Sequence, residues 1–434
     1  MHAFGGAATA LAIGVAAFGL LPDPAATNGS PAPIVAAEPV AATGSGFAEQ
    51  FAGRVSAAAD TLATLPPAQV AALWKDLPRH FVRELIEQRP DVIGNLEGAR
   101  YVDRDEANIR RLTTLKEEAL AAEQLALSEL RSPSSRGSSA LTAAEASARV
   151  DAVDVLLGLF SDAASKDPHR YLLSLDPSVD GPPLAAIAVG NLDSALYATY
   201  FVPGMNSNVL QAEDLLRGVT RIQQGSADSA AVLWLGYESP GPVETVSTAR
   251  AEAGAVLLGA ALGGYDAYRT AVGLHSELTV LAHSYGSTTA AIALADAEYS
   301  VDSFVMIGSA GVPPSIRLDD LHVPSDRVFA SEATGDDIAD KGQFWSGRAN
   351  PASIEWGARV FGSNGTTLAD GTILAAVRAH DVVGADDDGD HEKYLGDGTE
   401  SLYGIRKIVT GQQYDITPVA PTPPTDSTIL ASAE

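Results

Sequence analysis

The spacing of hydrophobic residues changes character near residue 171. Upstream, apolar residues recur at helical intervals in 47–65, 67–88, 103–130 and 142–165, which predicts four helices. Pro78 lies inside the second of them, where a proline kinks or splits a helix. Downstream, short apolar runs alternate with longer amphipathic stretches. We therefore expect an N-terminal helical region at 47–170 and an α/β core at 171–412.

The core pattern begins with a pair of strands. The apolar runs 171–175 and 184–189 are joined by the turn-rich sequence DPSVDGPP, which predicts an antiparallel hairpin. Further strands are expected at 195–202, 230–235, 278–282, 303–307 and 327–331, with helices at 209–224, 246–268 and 288–297. This alternation predicts a mostly parallel sheet with helices on both faces. Ligands bind such sheets at the carboxyl ends of the strands, so residues that follow a strand are the candidates for chemistry.

Two segments flank these regions. Ala3–Leu21 is uncharged and apolar, and a Pro/Ala-rich linker follows it, so residues 1–46 resemble a signal peptide or a membrane anchor with its linker. That interpretation places the protein outside the cell or on the outer side of a membrane, with membrane association through the apolar segment. No Lys or Arg precedes the run, which favours the alternatives of a disordered leader and a cytoplasmic protein. Residues 413–434 form a Pro/Thr-rich tail.

Composition excludes several classes of function. The chain has 55 acidic and 28 basic residues, a net charge of −27, so nucleic acid and anionic membrane surfaces are poor partners. It has no cysteine, which excludes disulfides, thiolate zinc sites and cysteine nucleophiles. The acidic run Asp386–Asp390 fails the calcium-loop pattern because Gly384 stands where an Asp ligand is required, and it is expected to be a solvated loop. No metal or organic cofactor is expected.

Charged and polar residues crowd the start of the helix predicted at 103–130. Arg104 and Asn108 are among them. The simplest interpretation is a solvated helix face. The alternative is that one of these two side chains reaches a substrate pocket.

The stretch 277–290, ELTVLAHSYGSTTA, carries the strongest chemical signal. An apolar strand ends at Ala282, Ser284 follows almost at once, and an Ala-rich helix comes next. Strand, sharp turn and helix with a serine at the apex is the nucleophile-elbow arrangement, usually written G-x-S-x-G. Here Gly286 fits the pattern, and Ala282 replaces the first glycine with a residue one methyl larger. Ser284 is therefore the candidate nucleophile.

A serine needs a base, which follows it in this fold class in the order Ser, Asp or Glu, His. Three histidines lie beyond Ser284. His322 precedes the strand expected to present the acid, so its order is wrong. His391 lies in the Gly-containing loop DDDGDHEKYL and is the preferred base, because a loop can bring an imidazole to the strand ends. His380, in AAVRAHDVV at the end of a possible helix, is the alternative.

The acid and the oxyanion hole follow from the same strand ends. Asp336 comes directly after a glycine near the end of the strand 327–331, and Asp337 and Glu332 are the alternatives. A carboxylate there that is not catalytic would serve as a helix N-cap. An oxyanion hole needs two backbone N–H donors, for which we select those of Tyr285 and Met205, the latter in the turn after the strand 195–202.

Several segments together resemble a known family. They include 73–112, YATYFVPGMNSN at 197–208, VLWLGYESPG at 232–241, LAHSYGSTTA at 281–290, ASEATGDDIA at 330–339 and DHEKYL at 390–395. The chain is similar, from about residue 65 to about 412, to bacterial α/β-hydrolases grouped as a domain of unknown function with a G-H-S-Y-G-S elbow. The resemblance implies an α/β-hydrolase fold with Ser284, Asp336 and His391 as triad. It departs at Ala282, and it implies a mechanism class without a particular substrate.

These observations predict a serine hydrolase of the esterase or lipase type. Its partner would be a small-molecule ester or acyl substrate, cleaved through an acyl-enzyme on Ser284. The same triad would serve an amidase or peptidase. A catalytically silent hydrolase fold used as a binding module at the cell envelope is the alternative from another class, since a fold does not dictate a function.

Overall fold

The computed structural model describes residues 41, 43–131, 137–161, 169–384, 387–416 and 419–421. The apolar leader at 3–21 and most of the Pro/Thr-rich tail lie outside these residues. Within the described part of the chain, no helix is both long and apolar enough to cross a membrane.

The N-terminal region is helical, as expected. Its helices are α1 Gly44–Gln50, α2 Val55–Ala63, α3 Pro67–Trp74, α4 Arg79–Gln88, α5 Pro90–Ile93, α6 Tyr101–Leu130 and α7 Gly137–Ser161. Pro78 splits the predicted helix 67–88 in two and becomes the N-cap of α4. A proline has no backbone N–H to donate. This does not destabilise the start of a helix, because the N–H groups there have no partner inside the helix.

The core alternates strands and helices. Its strands are β1 Arg170–Asp176, β2 Leu184–Val189, β3 Tyr197–Val202, β4 Ser229–Leu235, β5 Glu277–His283, β6 Ser303–Ile307, β7 Val328–Ser331, β8 Arg359–Val360, β9 Asn364–Thr367 and β10 Ile373–Ala376. Its helices are α8 Ala212–Gln223, α9 Ala249–Val272, α10 Tyr285–Ala295, α11 Asp337–Ser346 and α12 Glu400–Val409.

Eight strands form one sheet in the order β1-β2-β4-β3-β5-β6-β7-β8. β1 and β2 form the predicted antiparallel hairpin, and β2 also pairs antiparallel with β4. The other six strands, in the sheet order β4-β3-β5-β6-β7-β8, run parallel to one another. The expected mostly parallel sheet is confirmed. The second sheet, the hairpin of β9 and β10, was not predicted, because its turn-rich sequence has no long apolar run.

Alternate residues of the strands point into two separate hydrophobic layers. On one face, Val280 and Ala282 of β5 pack with apolar residues of α9 and α10. On the other face, Leu281 packs with apolar residues of α8 and α12 and of the N-terminal helices α6 and α7. Both faces are therefore covered, which leaves the carboxyl ends of the strands as the open edge where a ligand can enter.

Polar side chains of the N-terminal region bind the outer edge of β1. Asn95 both donates to the Leu175 carbonyl and accepts from the Leu175 N–H, at 2.9 Å each. Asp105 accepts from the Leu172 N–H at 2.7 Å, and Asn108 donates to the Leu172 carbonyl at 2.9 Å. The edge strand thus finds its missing partners in α6 and the turn before it.

The expectation of a solvated face for Arg104 and Asn108 is wrong. Both residues are buried, and Arg104 forms a two-pronged ion pair with Glu97, with both N–O distances 2.8 Å. Both also donate to the Gly94 carbonyl. Neither lines the cavities at the strand ends: Arg104 joins α6 to the turn before it, and Asn108 joins α6 to that turn and to β1.

Candidate active site

Ser284 occupies a strained turn between β5 and α10. Its backbone angles, φ 52° and ψ −127°, lie in a region that residues with a side chain rarely adopt. The turn is tight because the backbone of β3 lies directly beneath it. A Cβ at Gly286 would come within 2.2 Å of the Val202 carbonyl oxygen, so only glycine fits there. The methyl of Ala282, by contrast, is accommodated in the buried strand β5.

His380 is the histidine that contacts Ser284. Its Nε2 lies 2.7 Å from the Ser284 Oγ, and its Nδ1 lies 2.9 Å from both carboxylate oxygens of Asp336. All three side chains are buried. Since a carboxylate only accepts, Nδ1 carries the proton, which leaves Nε2 free to accept from the serine hydroxyl.

The expectation that His391 would meet Ser284 is wrong. The His391 side chain is exposed, and its Nδ1 lies 3.5 Å from the Asp397 carbonyl oxygen. His380 is the alternative base in the sequence prediction, because AAVRAHDVV is compatible with the end of a helix. The structure instead has strand β10 ending at Ala376, so His380 stands in the loop that follows a strand.

The segment 390–395, which contains His391, supports the loop that carries His380. Three backbone hydrogen bonds join the two: Arg378 N–H to Glu392, Tyr394 N–H to Asp381 and Leu395 N–H to Val382. Asp390, expected in a solvated loop, is buried instead. It accepts from the Gly384 N–H at the end of the His380 loop and pairs with Arg221 at 2.7 Å. The segment 390–395 therefore positions the imidazole instead of supplying it.

Asp336 is surrounded by donors. Its Oδ1 accepts from the Ile338 and Ala339 N–H groups, which makes it the N-cap of α11. Its Oδ2 accepts from the Tyr394 hydroxyl at 2.9 Å. Burial acts to raise the pKa of Asp336, but the hydrogen bond and charge of His380 with these other donors outweigh it, and the pKa is lowered. The carboxylate is thus held in its charged form.

The two alternative acids lie elsewhere. The Asp337 side chain is exposed on the first turn of α11. Glu332 is half-buried and accepts from Asn350 at 2.7 Å and from Gln343 at 3.4 Å. Burial raises the pKa of Glu332 to about 7. Neither carboxylate contacts His380.

Sequence reasoning missed two residues that support the group. Tyr394 is fully buried, and besides donating to Asp336 it accepts from the Ala333 N–H at 3.0 Å. His283, the residue before the serine, donates from Nε2 to the His380 carbonyl at 2.7 Å. Burial and the nearby His380 lower the pKa of His283 to about 3, so it stays neutral and fixes the His380 backbone. The only sequence signals were their places in the motifs LAHSYGSTTA and DHEKYL.

The two backbone donors proposed for the oxyanion hole flank the serine. Met205 follows Gly204, where a Cβ would come within 2.7 Å of the Ser284 Cβ. Tyr285 is the first residue of α10, where N–H groups have no partner inside the helix. Within the described residues, neither N–H donates to another group. Both are therefore available to a ligand atom.

Two cavities open at the serine. The first, which we call the His380 cavity, has a volume of about 540 Å³ and is bordered by Gly204, His283, Ser284 and His380. The second, the α11 cavity, has a volume of about 320 Å³ and lies between α11 and Ser284. Across the described residues, no group of three or more His, Asp or Glu side chains is arranged to hold a metal ion.

Comparisons with known proteins agree with this architecture. Residues 176–345 match the family model described as alpha/beta hydrolase. Uncharacterized proteins from two strains of Mycobacterium tuberculosis are 29% identical over 370 residues, which cover 79% of this chain and 55% of theirs. The chain thus spans about half the length of the curated relatives it matches.

Two solved hydrolase structures are also similar to this chain over part of its length. A dienelactone hydrolase from Anabaena variabilis is 15% identical, with 58% of this chain and 99% of that one covered and a TM-score of 0.34. An esterase from Pyrobaculum calidifontis is 13% identical, with 70% and 93% covered and a TM-score of 0.31. With its eight-stranded, mostly parallel sheet and its serine in the sharp turn after β5, the chain has the α/β-hydrolase fold, and residues 176–345 match the model of that family.

Proposed function

We propose that this chain is a serine hydrolase of the esterase or lipase type, with Ser284 as nucleophile, His380 as base and Asp336 as the acid that orients it. One observation carries the proposal: Ser284, His380 and Asp336 form a continuous buried hydrogen-bonded chain beside an open cavity. A serine hydroxyl, a base that accepts from it and a carboxylate that orients the base are the parts of a nucleophilic triad.

In the first half of the reaction, the Ser284 Oγ attacks the ester carbonyl carbon while His380 Nε2 takes the hydroxyl proton. The carbonyl oxygen becomes an oxyanion, which the Met205 and Tyr285 N–H groups would stabilise. The bond from carbon to the leaving oxygen then breaks, and His380 passes its proton to that oxygen. An alcohol departs and the acyl group remains on Ser284.

In the second half, water attacks the acyl carbon and His380 takes one of its protons. The bond to the Ser284 Oγ breaks, the proton returns to that oxygen, and a carboxylic acid leaves. In both halves the charged Asp336 stabilises the imidazolium of His380. The low pKa of Asp336 suits this role, because the carboxylate stays ionised while the imidazole cycles.

Labelling with a fluorophosphonate tests the proposal, because this reagent forms a covalent bond only with an activated serine. We expect labelling of the parent chain at Ser284 and its loss in Ser284→Ala. A panel of p-nitrophenyl esters and anilides then separates ester from amide hydrolysis. If the folded parent is neither labelled nor active on any ester or anilide, the hydrolase proposal is rejected in favour of a silent binding module.

A further inference from the structure

The two cavities meet at the serine. Ser284 and Met205 border both of them, so a molecule attacked at Ser284 can extend in two directions. An ester has two arms, one on each side of the reacting carbonyl group. The geometry can therefore assign one arm to each cavity.

The position of His380 decides the assignment. His380 must pass its proton to the departing oxygen, so the leaving group lies on the side of that imidazole. His380 and His283 border the His380 cavity, and neither borders the α11 cavity. The leaving alcohol therefore belongs in the His380 cavity, and the acyl arm in the α11 cavity.

The walls of the His380 cavity suit a polar leaving group. Apolar side chains such as Leu215 and Val382 form part of its lining, which also includes Ser207, Gln211 and two acidic residues, each with a basic partner. Asp381 pairs with Lys393 at 2.8 Å, and Asp214 pairs with Arg217 at 2.6 Å. A cavity lined with hydrogen-bonding groups and balanced charges favours a neutral alcohol that carries further hydroxyl groups.

The walls of the α11 cavity are mainly apolar. Ile338, Lys341, Gly342 and Trp345 of α11 lie on one helix face at spacings of three and four residues, and Pro242, Val246 and Ala310 lie around them. Ile338, Val246 and Trp345 are 48%, 57% and 73% exposed, so the apolar surface continues past the mouth of the cavity.

Arg348 also borders this cavity, and its guanidinium is held at Nη2, while its buried Nε has no hydrogen-bond partner among the described residues. It donates from Nη2 to the carbonyls of Thr245 and Ser247, at 2.7 and 2.9 Å, and lies 5.0 Å from the ring centre of Tyr285. It therefore serves as a fixed part of the wall. A volume of about 320 Å³ equals roughly ten water molecules at about 30 Å³ each, enough for an acyl chain of about that many carbons.

We propose that the substrate is an ester of a medium or long aliphatic acid with a polar, hydroxyl-bearing alcohol, and that Gly342 and Trp345 set the acyl length. This inference rests on the hydrolase proposed above and adds its substrate class. A Cβ at Gly342 would lie 3.4 Å from the Ala310 Cβ, an ordinary contact, so a larger side chain there can fit and would occupy acyl space.

The acyl arm is tested with Gly342→Leu and Trp345→Ala. kcat/KM is measured on p-nitrophenyl acetate, octanoate and decanoate, after activity of the parent is established. We expect Gly342→Leu to lower kcat/KM for decanoate about tenfold or more relative to kcat/KM for acetate. This is the loss in kcat/KM that is expected when a methylene group is displaced from an apolar pocket. Trp345→Ala should lower the value for decanoate and spare acetate. Gly158→Leu, at an exposed helical glycine with open space around it, is the matched control and should change neither.

The leaving arm is tested with Ser207→Leu, using octanoate esters of glycerol and of methanol. We expect the glycerol ester to lose more activity than the methyl ester, with the preference for acyl length unchanged. The activity of the parent on p-nitrophenyl octanoate is also compared with its activity on the p-nitrophenyl monoester of suberic acid. This monoester carries a terminal carboxylate, so the parent would prefer it if Arg348 or Lys341 bound the substrate.

Three results would overturn the assignment. They are an unchanged acyl-length preference in the active Gly342 and Trp345 variants, a loss of acyl-length preference in the Ser207 variant, and a parent that prefers the suberate monoester. A parent without labelling or activity rejects the hydrolase itself, and this inference falls with it. If the parent is active and any of the three results is found, the substrate class alone is rejected.

Discussion

The Tyr394 hydroxyl can be removed while the ring of its side chain stays in place. Tyr394→Phe keeps the fully buried ring and deletes one donor to Asp336 and one acceptor for the Ala333 N–H. The carboxylate would keep its bonds to His380 and to two backbone N–H groups of α11. The substitution therefore measures what one supporting hydrogen bond contributes.

The size of the effect follows from these contacts. A hydrogen bond to a charged group contributes about 1.5–3 kcal/mol, and we take about 1.5–2 because three other donors remain. If that stabilisation is lost when the imidazolium forms, kcat falls roughly 10- to 30-fold. KM should stay constant, since Tyr394 borders neither cavity. The buried Ala333 N–H, left without an acceptor, should lower the free energy of unfolding by about 1–3 kcal/mol.

The assay is kcat and KM on one p-nitrophenyl ester, with urea unfolding of the same preparations. Tyr403→Phe removes the same hydroxyl from α12 and serves as the control, with all values expected to match the parent. A Tyr394 variant that loses stability but keeps its kcat would refute the reasoning. The tyrosine would then support only the backbone near Ala333.

Three further predictions concern single residues. On an activated ester, His380→Ala should lower kcat/KM about 10⁴-fold or more, as the loss of a triad member does. His391 is exposed, so His391→Ala should keep kcat/KM near that of the parent in the same assay. Gly204→Ala places a methyl 2.7 Å from the serine Cβ and should cost about 10²-fold in kcat, with circular dichroism confirming the fold. Burial raises the pKa of Asp105 to about 6, so the folded state holds its proton more tightly than the unfolded state and stability falls as pH rises from about 4 to about 6. Asp105→Asn keeps an acceptor for the Leu172 N–H but has no carboxyl group to titrate. In urea unfolding, the free energy of unfolding of this variant should therefore rise relative to that of the parent, by up to about 3 kcal/mol between pH 4 and pH 7. A difference between the two proteins that does not change with pH would contradict the raised pKa.

The sequence predicts the fold, Ser284 and Asp336 for a physical reason. Ser284 directly follows the apolar strand β5, and Asp336 lies in the short turn after β7, which ends at Ser331, so each strand limits where the side chain emerges. Hydrophobic alternation predicts such strands well, and the chain order of the fold then limits the choices.

The sequence favours His391 over His380 because the environment of His380 is set by distant contacts. The short strand β10 pairs with β9 and forms a single bridge from Ala375 to Thr399, and the loop after it takes its shape from segment 390–395. Neither feature leaves a periodic hydrophobic pattern. His283 and Tyr394 were missed for the same reason, since their roles depend on hydrogen bonds to residues 97 and 58 positions away.

The covering of strand β1 has a consequence for solubility. An open sheet edge presents unpaired N–H and C=O groups on which another chain can add a strand. Here Asn95, Asp105 and Asn108 occupy those groups at Leu172 and Leu175, and the pairing with β2 shifts register between Leu172 and Ser174. Cutting the chain at the start of the core would bare this edge. A core expressed without α5 and α6 should therefore assemble into aggregates through β1, however well its sheet is formed.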